Sequence, residues 1–318
     1  MSRLPFGAVV VNYNAGPALT ACVESLVANG VAEVCVVDNA SVDDSLATLR
    51  RALEQGALGG TATGEGGTEG HAPVEVVEAG GNLGYGAGAN LGAKSTSSPF
   101  LLVCNPDLVV GPGAVAALLR RLESDESLAV AGPLIRDAGG DVYPSGRAFP
   151  SLGDAIGHAF LGLVWGGNPF TRRYRRLGGE QHRQRQADWV SGSCFLVRRL
   201  AFESVGGFDE SYFMYVEDVD LCWRLRRAGW GTFYEPEAEV VHSQGLSAAR
   251  HPYRMLVAHH RSMWRFATRS AEGRERLLLP AMALGLVARL GLAWADHLLR
   301  PVRERALLTA KVRHRGPG

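Results

Sequence analysis

Polar residues collect where four apolar runs stop. The run at 6–11 stops at Asn12-Tyr13-Asn14, and the run at 33–37 at Asp38-Asn39-Ala40-Ser41. The run at 74–77 leads to Asn82-Leu83-Gly84-Tyr85-Gly86, with Asn90 just beyond, and the run at 100–104 stops at Asn105-Pro106-Asp107. A single Asn, Asp or Ser in such a place is ordinarily a helix cap or a turn. Four in succession point to a ligand crevice, because open α/β sheets bind ligands beyond the carboxyl ends of their strands. The Asp38 carboxylate can accept the N3 proton of uracil or thymine, which purines do not present, and Tyr13 can flank the ring. Gly84 and Gly86 let the backbone approach a sugar or phosphate closely. Asp107 can hold a hard divalent cation that bridges a diphosphate and neutralises it on departure.

A second set follows. Trp189-Val190-Ser191-Gly192 and Gly206-Gly207-Phe208-Asp209-Glu210 offer groups to a second substrate. Glu217 and Asp218 open a helical pattern, where the helix dipole favours ionised carboxylates. A carboxylate so placed can act as general base on an acceptor hydroxyl, with a plain acidic cap as the alternative. His242 ends a short run 24 residues after Asp218. A lone histidine there is ordinarily structural; with Asp107 available it becomes a candidate second metal ligand. There is no Walker lysine pattern and no G-x-G-x-x-G opening the first helix, which argues against a P-loop ATPase and a dinucleotide-binding dehydrogenase.

The elements that must position these residues can be read from periodicity. The continuous apolar run at 6–11 suits a strand covered on both faces, and further strands are expected at 33–37, 74–77, 100–104 and 129–132. Helical spacing appears at 17–29, 43–53, 86–95 and 113–124. The alternation predicts an α/β doubly wound, mostly parallel sheet with helices on both faces over the first 135 residues. Residues 56–72 are rich in Gly, Thr, Ala and Glu without period and read as a flexible insertion. Past 134 the pattern changes: a strand at 194–197, a helix at 216–228, short strands at 231–234 and 239–241, and an Arg-rich helical extension from 252.

The 318 residues are 46% hydrophobic and 20% charged, with a net charge of +1. Such a chain is neither disordered nor dependent on disulfide staples. Near-neutral charge gives no electrostatic case for nucleic acid as partner. The five cysteines are scattered and odd in number, which speaks for reduced thiols in a cytosolic compartment.

The ordered set Asn12-Tyr-Asn14, Asp38-Asn-Ala-Ser41, Gly81-Asn-Leu-Gly-Tyr-Gly86, Asn105-Pro-Asp107, Trp189-Val-Ser-Gly192, Gly206-Gly-Phe-Asp209 and Tyr215-Val-Glu-Asp218 resembles family 2 glycosyltransferases, above all their bacterial rhamnosyltransferase branch. The resemblance spans about residues 5–250. It implies a GT-A fold, a nucleotide-sugar donor, a Mg²⁺ or Mn²⁺ ion and inversion at the anomeric carbon. By position, Asp38 resembles the base-reading aspartate, Asp107 the last carboxylate of the metal motif, Asp218 the catalytic base and His242 a metal-binding histidine. Asn105 replaces the first aspartate of that motif, removing one charge. Residues 1–250 then form the transferase domain: 1–135 is its nucleotide-sugar half, 136–250 its acceptor half, and 251–318 a helical, membrane-associating tail.

Within the branch, the likeness is to actinobacterial members that carry rhamnose from dTDP-rhamnose to a polyprenyl-diphosphate-linked GlcNAc of the cell-wall linker. The alternatives are a galactofuranose or hexose donor with another polysaccharide acceptor, a nucleotidyltransferase, or a non-catalytic binding module. A lipid-linked acceptor calls for a membrane-facing surface. Residues 155–165 are apolar and Arg172, Arg173, Arg175 and Arg176 follow. Residues 277–295 are almost wholly apolar, but Arg289 sits inside and Arg269, Arg274 and Arg276 precede them. A central charge argues against a spanning helix. The expectation is a helix at the cytoplasmic face of the membrane, with a buried core helix as the alternative. A homo-oligomer is compatible with the sequence.

Overall fold

The apolar runs become strands because both of their faces are covered. Along β1 (Phe6–Asn12) every residue is buried. Its Ala8 and Val10 enter one hydrophobic core and Val9 and Val11 another, on opposite sides of the sheet. The computed structural model describes residues 4–56, 58, 72–151, 153, 181–243, 252–292 and 294. The predicted insertion at 57 and 59–71, the arginines at 172–176 and the apolar stretch at 155–165 lie outside the described residues.

The chain continues through α1 (Ala18–Ala28), β2 (Glu33–Asp38), α2 (Ser45–Glu54), β3 (Val74–Glu78), α3 (Tyr85–Lys94), β4 (Phe100–Cys104), β5 (Leu108–Val110) and α4 (Ala114–Ser124). Next come β6 (Leu128–Asp137), β7 (Val142–Tyr143), β8 (Gly146–Arg147), β9 (Arg185–Ala187), β10 (Trp189–Val190) and β11 (Cys194–Arg198). The short α5 (Arg199–Ser204), α6 (Glu217–Arg227) and β12 (Gly231–His242) complete this unit. The main sheet runs β3-β2-β1-β4-β11-β6-β12-β5, with β7 on β6 and β9 on β12; β8 and β10 form a separate ribbon.

Register places the chemistry. Parallel pairing sets Asn12 beside Asp38 and Asp38 beside Glu78, so the ends of β1, β2 and β3 line up. The central sheet is mixed and mostly parallel, as expected; β11 runs antiparallel to both β4 and β6, and β5 antiparallel to β12. One expectation needs correction. The two short strands expected at 231–234 and 239–241 are one strand, β12, with its register broken between Glu235 and Glu239.

A second unit takes in 150–175 and 251–318. It holds α7 (Pro252–Ser270), a 3₁₀ segment (Gly273–Leu278) and further helix over 279–292. Leu284, Val287 and Trp294 recur at helical spacing and are 63%, 66% and 54% exposed, and Leu277 is 79% exposed. Among the described residues no helix is long and apolar enough to cross a membrane.

Candidate active site

At the ends of β1 and β2, Asn12 Nδ2 lies 2.8 Å from Asp38 Oδ1, 3.1 Å from Ser41 Oγ and 3.0 Å from Ser45 Oγ. The Ser41 amide donates to Asp38 Oδ2 at 3.0 Å, and the Asn14 amide to Ser41 Oγ at 3.0 Å. Asn14 and Ala40 both adopt left-handed backbone, at φ 55° and 61°, a cost commonly found where a fold shapes a site. Each Asp38 oxygen accepts one hydrogen bond from the protein, so each retains a lone pair for a ligand donor. Asp43, which the sequence did not single out, ties the next loop down: its carboxylate accepts from the Gly16 amide at 2.8 Å.

The pairing of β5 with β12 brings the metal candidates together. His242 is opposite Leu108, and the Ser243 amide donates to the Asp107 carbonyl at 3.0 Å. His242 Nε2 lies 3.0 Å from Asp107 Oδ1 and 3.3 Å from Asn105 Nδ2. His242 is buried, and its Nδ1 has no partner. A carboxylate oxygen and an imidazole nitrogen thus meet, a hard-to-borderline pair that suits Mg²⁺ or Mn²⁺, with the Asn105 amide nitrogen beside them as a hydrogen-bond donor. No cluster of three His, Cys, Asp or Glu occurs among the described residues.

The base candidates sit at the start of α6. Tyr215 and Val216 precede it in left-handed backbone, φ 68° and 70°, which is costly for a β-branched residue. Asp218 Oδ2 accepts from the Gly192 amide at 2.7 Å and Oδ1 from the Val219 amide at 2.8 Å. Burial still pushes the Asp218 carboxyl above its ordinary value, opposed by those two amides and by the charge of Arg147. Glu217 is 7% exposed and its Oε2 has no partner. Burial, and then the neighbouring Asp218, push its pKa up to about 8. Burial therefore overrides the helix-dipole effect expected from sequence. The two environments divide the pair: Asp218 has the donors that stabilise an anion, and Glu217 keeps its proton.

The 191–193 loop joins these corners. The Ser193 carbonyl accepts from the Asn105 amide at 2.8 Å, and Gly192 supplies its amide to Asp218 and its carbonyl to the Tyr85 hydroxyl. A Cβ on Gly192 would lie 3.0 Å from Asp218 Cβ. Burial, then neighbouring thiols and the acidic pair, hold the Tyr85 phenol well above its usual range, so it stays a donor.

Residues 8–206 match the family described as Glycosyl transferase family 2. The chain belongs to that family. It is 38% identical to the N-acetylglucosaminyl-diphospho-decaprenol L-rhamnosyltransferase of Mycobacterium tuberculosis, covering 96% of this chain and 98% of that protein. To rhamnosyltransferase WbbL of Escherichia coli it is 31% identical over 51% of this chain and 62% of that one. The mannosyltransferase PcManGT from Pyrobaculum calidifontis, solved with GDP-Man and Mn²⁺, superposes at TM-score 0.56 and 14% identity, covering 98% of this chain and 85% of that one. S. aureus TarS in complex with UDP-GlcNAc gives 0.54 at 14%, covering 90% and 72%. These likenesses establish a GT-A fold.

In this family 2 glycosyltransferase several of the residues expected to face a ligand also brace the protein. The Asn39 amide is committed to the Gly84 carbonyl at 3.0 Å. Asn90 donates to the Phe208 carbonyl at 2.9 Å and to Glu210 Oε1 at 3.0 Å, and accepts from the Phe208 amide at 2.9 Å, so it secures the loop at 208–210. Gly84 (φ +89°) has no room for a side chain: a Cβ there would meet the Phe213 carbonyl oxygen at 2.3 Å. A Cβ on Gly86 would meet Phe208 Cβ at 3.0 Å. Asn82 is exposed and accepts from the Gly84 amide at 3.1 Å. Asp209 Oδ1 closes its own turn on Ser211, Ser191 Oγ pairs with Ser193 Oγ at 2.9 Å, and Trp189 Nε1 donates to the Ala148 carbonyl at 2.9 Å. Arg147, unmarked in the sequence reading, lies with its guanidinium 4.8 Å from the Tyr143 ring centroid and 5.1 Å from that of Trp189.

Proposed function

We propose that this glycosyltransferase moves L-rhamnose from dTDP-rhamnose to a polyprenyl-diphosphate-linked GlcNAc, inverting the anomeric carbon, in assembly of the arabinogalactan linker of a cell wall. The observation that carries donor and acceptor is the 38% identity, over 96% of the chain, to a relative named for that acceptor and sugar.

The residues divide the work as follows. Asp38 accepts the N3 proton of thymine, with Asn12, Asn14 and Ser41 holding the loop around it and Tyr13 flanking the ring. Asp107 and His242 would hold a divalent cation, with Asn105 beside them. That cation, when bound, neutralises charge building on the leaving diphosphate. Asp218 takes the proton from the acceptor hydroxyl as its oxygen forms the new bond to the anomeric carbon. The bond to the diphosphate breaks on the opposite face, and dTDP leaves with that electron pair. Glu217, protonated, keeps a second negative charge away from the attacking oxygen.

A lipid-linked acceptor places this chemistry at the cytoplasmic membrane face. The exposed apolar residues of 277–294, beside Arg274 and Arg276, suit a peripheral contact that combines burial with attraction to anionic lipid. The deciding experiment is a donor panel against polyprenyl-diphospho-GlcNAc, with and without EDTA. The expected result is metal-dependent transfer from dTDP-rhamnose. Preference for a GDP- or UDP-sugar, or undiminished transfer after metal is stripped, overturns the reading.

A further inference from the structure

We propose that Arg147 binds the acceptor's diphosphate, as a planar cation held open beside the general base. This rests on the reading of the acceptor as a sugar carried on a lipid diphosphate.

The fold fixes Arg147 on every side except its tip. Its backbone lies in β8, paired through Trp189 to β10, and its carbonyl accepts from the Asp188 amide at 2.8 Å. Preceding it, Gly146 packs on Tyr234, where a Cβ would sit 2.7 Å from the ring. The Gly146 carbonyl accepts from Arg185 Nη2 at 2.9 Å. Arg147 Nε donates to the Pro144 carbonyl. The guanidinium then lies near the Tyr143 and Trp189 rings, and Trp189 is itself held by the Ala148 carbonyl. Both terminal nitrogens remain without a protein acceptor among the described residues.

Other arginines of this chain are used differently. Arg199 gives Nη1 to the Ala93 carbonyl at 3.0 Å and Nη2 to Thr96 Oγ1 at 2.9 Å. Arg198 gives Nη2 to the Leu122 carbonyl at 2.8 Å. Those groups tie elements together. Arg147 is immobilised by contacts that leave its two-pronged end unspent, and that end matches the geometry of phosphate oxygens. Aromatic contacts hold the plane in advance, so little side-chain freedom is lost on binding.

Position supports the same ligand. The Ser191 amide donates to the Ser145 carbonyl at 2.9 Å, and the next amide, that of Gly192, donates to Asp218 at 2.7 Å. The ribbon carrying Arg147 is thus two hydrogen bonds from the base, and its charge is felt there. In the acceptor, the diphosphate is separated from the reacting hydroxyl by a single pyranose ring. A group that reads that diphosphate must therefore lie close to the base and apart from the metal corner that takes the donor's diphosphate.

The test uses the full chain with Mg²⁺ and saturating dTDP, so that the donor's diphosphate site is filled. Geranyl diphosphate is titrated calorimetrically, with geraniol as the uncharged control. The unaltered chain is expected to bind the diphosphate and not the alcohol. Arg147→Gln should weaken that binding by about 10- to 100-fold, the worth of charge-assisted hydrogen bonds, with dTDP affinity unchanged. Arg147→Lys keeps charge and stem but loses the fork, and should fall between. In transfer assays, Arg147→Gln should raise KM for the lipid-diphosphate acceptor and leave KM for an alkyl GlcNAc unmoved. Absence of geranyl diphosphate binding in the unaltered chain, or equal binding in the Gln variant with dTDP affinity intact, overturns the proposal. If Arg147→Gln also loses dTDP, unchanged diphosphate binding by Arg147→Lys overturns it and weakened binding with intact dTDP upholds it. The calorimetry needs no sugar, so an error in the donor assignment leaves it readable.

Discussion

Replacing Glu217 by Gln should stabilise the protein at neutral pH, and the gain should grow with pH. Glu217 is 7% exposed, one of its carboxylate oxygens has no partner, and its pKa is pushed up to about 8 from an ordinary 4.5. The folded chain therefore holds this proton more tightly than the unfolded chain does. The stability this confers is complete below the unfolded value and is lost as pH rises through the folded one. Across that window the loss is about 1.4 kcal/mol per pH unit, reaching about 3 kcal/mol by pH 7 and about 5 kcal/mol above pH 8. Gln keeps the shape of protonated Glu and does not titrate. Urea unfolding of both proteins at pH 5, 6, 7 and 8 should give nearly equal midpoints at pH 5 and a widening separation above it, with Glu217→Gln the more stable. A separation that stays constant from pH 5 to 8 would refute the argument that Glu217 is buried with its proton.

Asp218→Asn should keep dTDP-sugar binding and lower kcat by about 100-fold or more, within the usual worth of general-base catalysis. In the unaltered enzyme, activity should fall on acidification at a pH above the ordinary carboxylate range, since burial raises Asp218 and only its anion accepts the proton. Asp107→Ala and His242→Ala should each weaken metal-dependent donor binding in calorimetry; unchanged metal dependence in both would remove the shared cation. Gly84→Ala should cost about 2–4 kcal/mol in chemical denaturation, combining left-handed strain with overpacking against the Phe213 carbonyl. The double change Leu284→Glu and Val287→Glu should free the chain from anionic liposomes at high salt, whereas retention would assign that face another role.

Strands β1, β2 and β4 were legible because a strand buried on both faces is a nearly continuous apolar run, and the edge strand β3 because its valines sit at strand length between turn signals. Direction was not: nothing in Cys194–Arg198 distinguishes an antiparallel strand slipped between β4 and β6 from a parallel one. The three-residue β5 carried too little pattern to read, yet it seats Asp107 against His242. Asp38, Asp107, Asp218 and His242 were legible because they stand at element ends, where a fold delivers side chains to ligands. Asn39 stands in a similar place and Asn90 inside α3, and only coordinates show their amides bonded to the Gly84 and Phe208 carbonyls. Arg147 gave no signal, since it lies where the chain has no period, in a two-residue strand whose partner is more than 40 residues away.

The contact of Gly84 with Phe213 has a consequence for engineering this enzyme. The turn that opens α3 and the segment that leads into α6 are far apart in the chain, yet the Tyr85 amide donates to the Phe213 carbonyl at 3.1 Å, and a methyl group on Gly84 would collide with that same oxygen. The two segments are therefore not interchangeable cassettes. A chimaera that imports the α3 turn from a relative must carry residues 206–218 with it, or the grafted turn will meet a foreign loop at a distance where only its native partner fits.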